Sequence, residues 1–473
     1  MYNNKLKRIK RKIVVGISTL AIGLGIAGNA LLCIDSKAAE IWPSSVDTAC
    51  SAAIVMEAET GAILYEKNID AQFYPASITK VLTALLAIEN SNLSDVVTFS
   101  SDAVFKNEGN SSHIGRDLDE QMTMEQCLYG MMLESANECA YAIAEHVGDG
   151  DVNKFITMMN DKAKELGCTN THFTNPNGLP DPNHYTSARD MALISKAAYE
   201  NKIFDKITGT KTYTIPPTNK HAEPTLLNNH HAMLNFYQTN KYLYDPCVGG
   251  KTGYTVDAGA TLVTYAKKDG MTLISVVLNG QTENYYTDTI NILNYCFDNF
   301  TAYDLSSSSN TYEESLVGKL GALNNDKKYI KRGENSTVIL PKTADFSDAK
   351  CKLVPTSKAG EDVVGQIQYY YADRFVGSAD LIFEKAKKVP YPFHNIDEEN
   401  GGSDVTYIRF DFKMIIIVLV AVAVVFGLIK LLKSKSNQIL LKKKRRKETK
   451  RRRKPKYTVI DRNRNRRRRN RRR

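Results

Sequence analysis

Two apolar runs with basic flanks set the limits on how this chain can fold, because what lies between them must fold on one side of a membrane. Near the N-terminus, Lys5, Lys7, Arg8, Lys10, Arg11 and Lys12 precede a mainly apolar run from Ile13 to Cys33, which leads to Ser36-Lys37-Ala38. A basic head, an apolar body and a small-x-small triplet make an export signal, so residues 1–38 read as a signal peptide cut after Ala38. The second run is Met414 to Leu432. At 1.5 Å per residue a helix here reaches about 28 Å, close to the thickness of a hydrocarbon core. Its one charge, Lys430, lies near the end and can snorkel. Residues 433–473 then carry 23 Lys and Arg against 2 acidic residues. By the positive-inside rule that tail stays in the cytoplasm and residues 39–413 face outward.

This asymmetry also decides what the net charge means. The chain totals +11, the tail alone is +21, and residues 1–432 therefore sum to −10. The folded part is mildly acidic and offers no general nucleic-acid surface. Within Lys442–Arg473 the only aromatic is Tyr457, so the tail lacks base-stacking platforms. Adhesion to anionic lipid headgroups is expected ahead of binding to nucleic-acid phosphates.

Beyond Cys33 the cysteines are Cys50, Cys127, Cys139, Cys168, Cys247, Cys296 and Cys351, with no C-x-x-C spacing. An odd, scattered set in an exported chain argues against a disulfide framework, and these residues read as small buried hydrophobes. The histidines (His113, His146, His172, His184, His221, His230, His231 and His394) lack ligand spacing and read as surface or structural. No metal and no cofactor is implied.

Between the two apolar runs the pattern divides at Ser306-Ser307-Ser308-Ser309-Asn310, a linker by composition. The first domain, residues 46–304, mixes strands and helices. Strands are expected at Ala52–Met56 and Ala62–Glu66 around the turn Glu59-Thr60-Gly61, and again at Gly259–Ala266 and Met271–Leu278. Helices are expected at Ser77–Asn90, Met124–Leu133, Glu138–Val147, Asn153–Leu166 and Ala188–Glu200. Residues 312–387 read as a small β-module, clearest in Val364–Tyr371 and Phe375–Phe383. Residues 388–413, with Gly401-Gly402, read as a flexible stalk.

Three short stretches carry chemistry: Ser77-Ile78-Thr79-Lys80, Ser135-Ala136-Asn137 and Lys251-Thr252-Gly253. Each alone is weak, since an isolated Ser-x-x-Lys is ordinarily a capping serine and a solvated lysine. Taken in order they are more specific. At a helix start, residues three apart share a face, so Ser77 and Lys80 can touch. A serine hydroxyl needs a neighbour to take its proton, and Lys80 can do so only when unprotonated. Holding a lysine neutral at pH 7 requires on the order of 4.6 kcal/mol from its surroundings. Burial and a second cation, Lys251, both push that way. Ser135 can relay a proton to a leaving group, and Asn137 can hold a peptide carbonyl. Lys251 and Thr252 can pair with a terminal carboxylate, and Gly253 lets a substrate backbone approach its strand.

These motifs resemble those of the low-molecular-mass penicillin-binding proteins that act as D-alanyl-D-alanine carboxypeptidases. The resemblance spans about Ala52–Phe300. It rests on Tyr74-Pro75-Ala76-Ser77-Ile78-Thr79-Lys80, Glu134-Ser135-Ala136-Asn137, Asn175-Pro176-Asn177-Gly178-Leu179, and Gly250-Lys251-Thr252-Gly253-Tyr254-Thr255 with Ala258-Gly259. It implies an α+β, β-lactamase-like transpeptidase fold, an antiparallel five-stranded sheet flanked by helices, followed here by the β-rich module and a transmembrane helix. It further implies Ser77 as the residue acylated by substrate and by penicillin, Lys80 as general base and Ser135 as proton relay. Asn137 becomes a substrate ligand, Lys251 the carboxylate anchor, and the N–H groups of Ser77 and Tyr254 an oxyanion hole. The implied partners are peptidoglycan stem peptides and β-lactams. Gly250 departs from the pattern, because many members carry a branched apolar residue there, and the change is expected to loosen that strand. The long basic tail departs as well.

Two rival readings share these residues. A β-lactamase needs a deacylating carboxylate, yet no Glu-x-x-Leu-Asn lies between Asn137 and Lys251, and Glu165 falls within an amphipathic helix. A catalytically silent wall sensor would keep the pocket and signal through the tail.

Overall fold

The computed structural model describes residues 41–106, 111–281, 284–305, 330–333, 336–354 and 363–383. The segments expected as signal peptide, stalk and transmembrane helix (414–432), and the basic tail, lie outside the described residues. No helix among the described residues is long and apolar enough to cross a membrane.

The centre of the first domain is an antiparallel sheet of β1 (Ala52–Glu57), β2 (Ile63–Lys67), β3 (Cys247–Thr255), β4 (Gly259–Lys268) and β5 (Met271–Gly280), in the spatial order β2-β1-β5-β4-β3. Strand alternation explains why it is buried on both faces. Ala52, Ile54 and Met56 of β1 join Val263, Tyr265, Ile274 and Val276 in one apolar cluster. Ala53 and Val55 join Leu262, Leu273 and Val277 in another on the opposite side. Side chains two apart share a face, so a strand apolar at every position needs a cover on each side.

Helices supply both covers. In chain order they are α1 (Lys80–Asn90), α2 (Met124–Leu133), α3 (Asn137–Val147), α4 (Val152–Glu165), α5 (Ala188–Tyr199), α6 (Lys202–Gly209) and α7 (Tyr285–Asn299), with a short helix at Ser101–Phe105. Residues of α1 to α6 fill the first cluster, while Ile292, Leu293, Cys296 and Phe297 of α7 fill the second. Four of the five expected helices match within a residue or so. The fifth differs where it matters, because Ala76–Thr79 forms a 3₁₀ turn and the α-helix starts at Lys80. Helices α6 and α7 were not anticipated. Helix α6 is amphipathic but only eight residues long, too short for a periodic signal to stand out, and in α7 Tyr, Thr and Asn interrupt the apolar positions.

The second sheet contains β6 (Phe300–Asp304), β7 (Ile330–Arg332), β8 (Thr337–Pro341), β9 (Lys350–Val354), β10 (Val363–Tyr371) and β11 (Arg374–Phe383). Strand β6 follows α7 directly and pairs Phe300 with Pro341 of β8, so the chain passes from one sheet to the other without a spacer. The hairpin expected from Val364–Tyr371 and Phe375–Phe383 is present as β10 and β11, with Ala372 and Asp373 in the left-handed region at its tip. All seven cysteines in the described residues are free thiols, five of them buried.

Candidate active site

The nucleophile candidate sits on a turn the chain is made to hold. Ala76 adopts φ 51°, a costly conformation for a residue with a side chain, typically about 1–3 kcal/mol. Two contacts enforce it. Thr261 Oγ1 of β4 donates to the Pro75 carbonyl at 2.8 Å. The Asn175–Leu179 loop presses on the turn at Gly178, which has φ +86° and where a Cβ would stand 1.9 Å from the Ala76 carbonyl oxygen. Only glycine fits there on both counts. Behind the turn, buried His184 bridges Thr79 Oγ1 at 2.9 Å and the Thr174 N–H at 3.0 Å. Burial pushes its imidazole down to about 3, so it is a neutral structural brace.

Lys80 is fully buried, and its Nζ lies 2.8 Å from Ser77 Oγ, 2.7 Å from Asn137 Oδ1 and 2.6 Å from the Asn177 carbonyl oxygen. Burial drives its pKa well below the usual lysine value, and the positive charge of Lys251 pushes the same way. Glu138 opposes both. Its Oε1 accepts from the N–H groups of Ile114 and Gly115 at 2.6 and 3.1 Å, while Oε2 is buried without a partner and burial pushes the carboxyl pKa up.

Ser135 and Asn137 reach the same cavity from the corner between α2 and α3. Thr123 and Gln126 form a capping box that starts α2. Ser135, in the left-handed region at φ 62°, turns the chain, and α3 begins at Asn137, whose N–H donates to the Ser112 carbonyl at 2.9 Å. The Ser135 hydroxyl oxygen is buried without a hydrogen-bond partner. Lys251 enters from β3, nearly fully buried, with Nζ donating to the Thr252 carbonyl at 2.8 Å. Burial alone takes its pKa down to about 7. Gly253 is where β3 meets the nucleophile turn: a Cβ there would stand 2.9 Å from the Ser77 nitrogen. Tyr254 follows at the mouth, 59% exposed.

Ser77, Ser135, Asn137, Thr252, Gly253 and Tyr254 thus line one cavity of about 720 Å³, with Lys80 and Lys251 buried in its wall. Six of the eight residues singled out from the motifs line the cavity, Lys80 reaches two of them through hydrogen bonds, and Lys251 is buried beside Thr252. Asn177 and Gly178 were quoted for the resemblance without a role. Nothing local announces that Asn177 offers its backbone oxygen to Lys80, because a carbonyl carries no sequence signal. Glu165 is exposed at the end of α4, 3.2 Å from Lys162, and does not line the cavity.

One group of described residues has metal-ligating atoms close together: Asp117, Glu120 and His221, within 4.8 Å of one another. Glu120 already takes the Arg116 guanidinium at 2.9 Å and the Thr218 hydroxyl at 2.8 Å, so it is neutralised in a buried ion-pair network that does not favour a cation.

The sequence profile of the D-alanyl-D-alanine carboxypeptidase family (peptidase S11) matches residues 38–282. D-alanyl-D-alanine carboxypeptidase DacF of Bacillus subtilis is 31% identical over 358 residues, covering 74% of this chain and 85% of the relative. DacA of Haemophilus influenzae is 31% identical over 346 residues, covering 69% and 82%. The crystal structure of the Streptomyces K15 DD-transpeptidase aligns at 31% identity over 54% of this chain and 100% of that one, with a TM-score of 0.49. With the profile matched over more than half of the chain and relatives aligned along most of their own length, this chain belongs to the D-alanyl-D-alanine carboxypeptidase family of serine peptidases.

Proposed function

We propose that the protein is a serine-type D-alanyl-D-alanine carboxypeptidase that removes the terminal D-alanine from peptidoglycan stem peptides and is acylated by penicillin at the same serine. The observation that carries this reading is the 2.8 Å approach of Lys80 Nζ to Ser77 Oγ in a buried setting. Carbonyl oxygens only accept hydrogen bonds, so the two protons of a neutral Lys80 amine go to Asn137 Oδ1 and the Asn177 carbonyl. The lone pair is then left facing the Ser77 hydroxyl.

The reaction follows from that arrangement. Lys80 takes the Ser77 proton as Oγ bonds to the carbonyl carbon of the penultimate D-alanine. The developing oxyanion sits between the N–H groups of Ser77 and Tyr254, where one donor is worth about 2.7–4 kcal/mol. The C–N bond breaks while a proton passes through the Ser135 hydroxyl to the leaving amine, which departs as D-alanine. Water then cleaves the acyl ester and frees the shortened peptide. Lys251 and Thr252 hold the substrate carboxylate, which restores the charge on Lys251, and Asn137 holds the peptide carbonyl.

The same reading assigns residues 46–304 to the carboxypeptidase domain and 312–387 to the β-rich module. Residues 1–38 serve as export signal, 388–413 as stalk, 414–432 as membrane anchor and 433–473 as a cytoplasmic tail held to anionic lipids. These assignments rest on the apolar runs and on the charge of the tail. The test is mass spectrometry of the protein after benzylpenicillin, together with D-alanine release from a pentapeptide. A long-lived adduct on the tryptic peptide bearing Ser77, and loss of both signals in Ser77→Ala, is expected. Rapid turnover of a chromogenic cephalosporin would move the assignment to a β-lactamase, and an unmodified Ser77 would leave a scaffold.

A further inference from the structure

Among the described residues Asp257 is the one acidic residue lining the active-site cavity, and the same exposed carboxylate borders a second cleft of about 320 Å³. That cleft is walled by Gln72, Phe73, Tyr74, Tyr185 and Asn279. Its walls are fixed by backbone pairing: Phe73 and Thr186 exchange N–H···O bonds of 2.8 and 2.9 Å, and Tyr185 exchanges two with His172 at 2.9 and 3.0 Å. No Lys or Arg lines it among the described residues, so its one formal charge is negative.

Its position relative to the chemistry follows from the direction of β3. The strand runs from Lys251, past Gly253 beside the Ser77 nitrogen, to Thr255, and Asp257 lies in the turn beyond. A substrate with its terminal carboxylate at Lys251 and its scissile carbonyl at Ser77 extends its upstream part along Thr255–Asp257, toward the second cleft. We propose that this cleft is a specificity subsite for a cationic side chain, an amine or guanidinium, on the residue preceding D-alanyl-D-alanine, with Asp257 as its counter-ion. The lining suits such a group: a carboxylate gives it a partner, the amide oxygens of Gln72 and Asn279 accept its N–H groups, and aromatic rings attract cations through their faces. The inference rests on the reading of Ser77 as the acylated residue.

The experiment compares D-alanine release by the full-length protein from Nα-acetyl-L-lysyl-D-alanyl-D-alanine and from the same peptide with the lysine amine also acetylated. The wild type is expected to favour the free amine in kcat/KM, by up to about fivefold, as for one solvent-exposed ion pair, with the preference shrinking in added salt. Asp257→Asn should bring the ratio close to one, and Asp257→Glu should keep part of it. Equal rates in the wild type, or a preference that survives Asp257→Asn, would overturn the subsite. So would a pentapeptide that gains from its attached disaccharide while ignoring Asp257→Asn, which would give the cleft to sugar. If the wild type releases D-alanine from neither peptide and forms no penicillin adduct on Ser77, the carboxypeptidase reading falls and the subsite with it.

Discussion

The imidazole of His231 and the Val263 carbonyl share the space a side chain on residue 250 would need: a Cβ on Gly250 would stand 2.2 Å from that carbonyl oxygen and 2.5 Å from both Cδ2 and Nε2 of the ring. The ring is fully buried and reaches Thr264 Oγ1 at 3.0 Å, on the β4 residue that pairs with Gly250. Thr208 Oγ1 holds Gly250 from the other side, donating to its carbonyl at 2.7 Å and accepting from its N–H at 3.0 Å. The glycine before Lys251 therefore leaves the strand braced, contrary to the loosening expected from sequence. Restoring a branched residue, Gly250→Val, should destabilise the fold by about 1–3 kcal/mol through overpacking. His231→Ala combined with Gly250→Val should recover part of that loss, a non-additivity read by urea unfolding of the two single variants and the double.

Lys80 should set the pH dependence of acylation. Its pKa is depressed by burial first and by Lys251 second, so the amine is available at lower pH than a free lysine. The penicillin acylation rate should rise with pH through that depressed value and then level off. In Lys251→Met, with the second cation gone, the rising limb should move to higher pH. Lys80→Met should lower the rate by about 10²–10⁴-fold at every pH. A limb that stayed in place in Lys251→Met would remove Lys251 from the tuning of the base.

Lys251 also makes a prediction about stability. Its pKa is about 7 in the fold, against about 10.4 in an unfolded chain. Between these values the unfolded state binds the extra proton, so stability rises with pH, and the penalty is full below about pH 7. From pH 7 to pH 9 the protein with Lys251 should therefore gain about 2 kcal/mol relative to Lys251→Met. Paired chemical denaturation curves at the two pH values measure this in a Lys80→Met background, where the amine coupled to Lys251 is absent and the remaining common groups cancel.

Ser135 trades stability for chemistry. It holds φ 62° and a buried hydroxyl oxygen without a partner, both unfavourable for the resting protein. Ser135→Gly should raise the unfolding free energy by about 1 kcal/mol. It should also slow D-alanine release by about 10²-fold or more through loss of the relay. Thermal melts and turnover on one preparation test both at once, and a variant that was both less stable and fully active would contradict the assignment.

The chain's local order went a long way toward this description. Continuous apolar and β-branched runs in β1, β4 and β5 and helical periodicity in α2 to α5 are short-range patterns, so they could be read one segment at a time. The spacing of Ser77 and Lys80 is local too, and the spread of Lys and Arg separated an acidic body from a basic tail. Tertiary structure decided what depends on many atoms meeting from distant segments. The environment of Lys80 is the sum of everything around it: burial, a carbonyl from residue 177 and a cation from residue 251. The partnership of Gly250 with His231, and the cleft that shares Asp257 with the active-site cavity, have the same origin. Periodicity reports which side of an element is apolar, whereas a pKa, a steric fit or a subsite is a property of the space that several elements enclose.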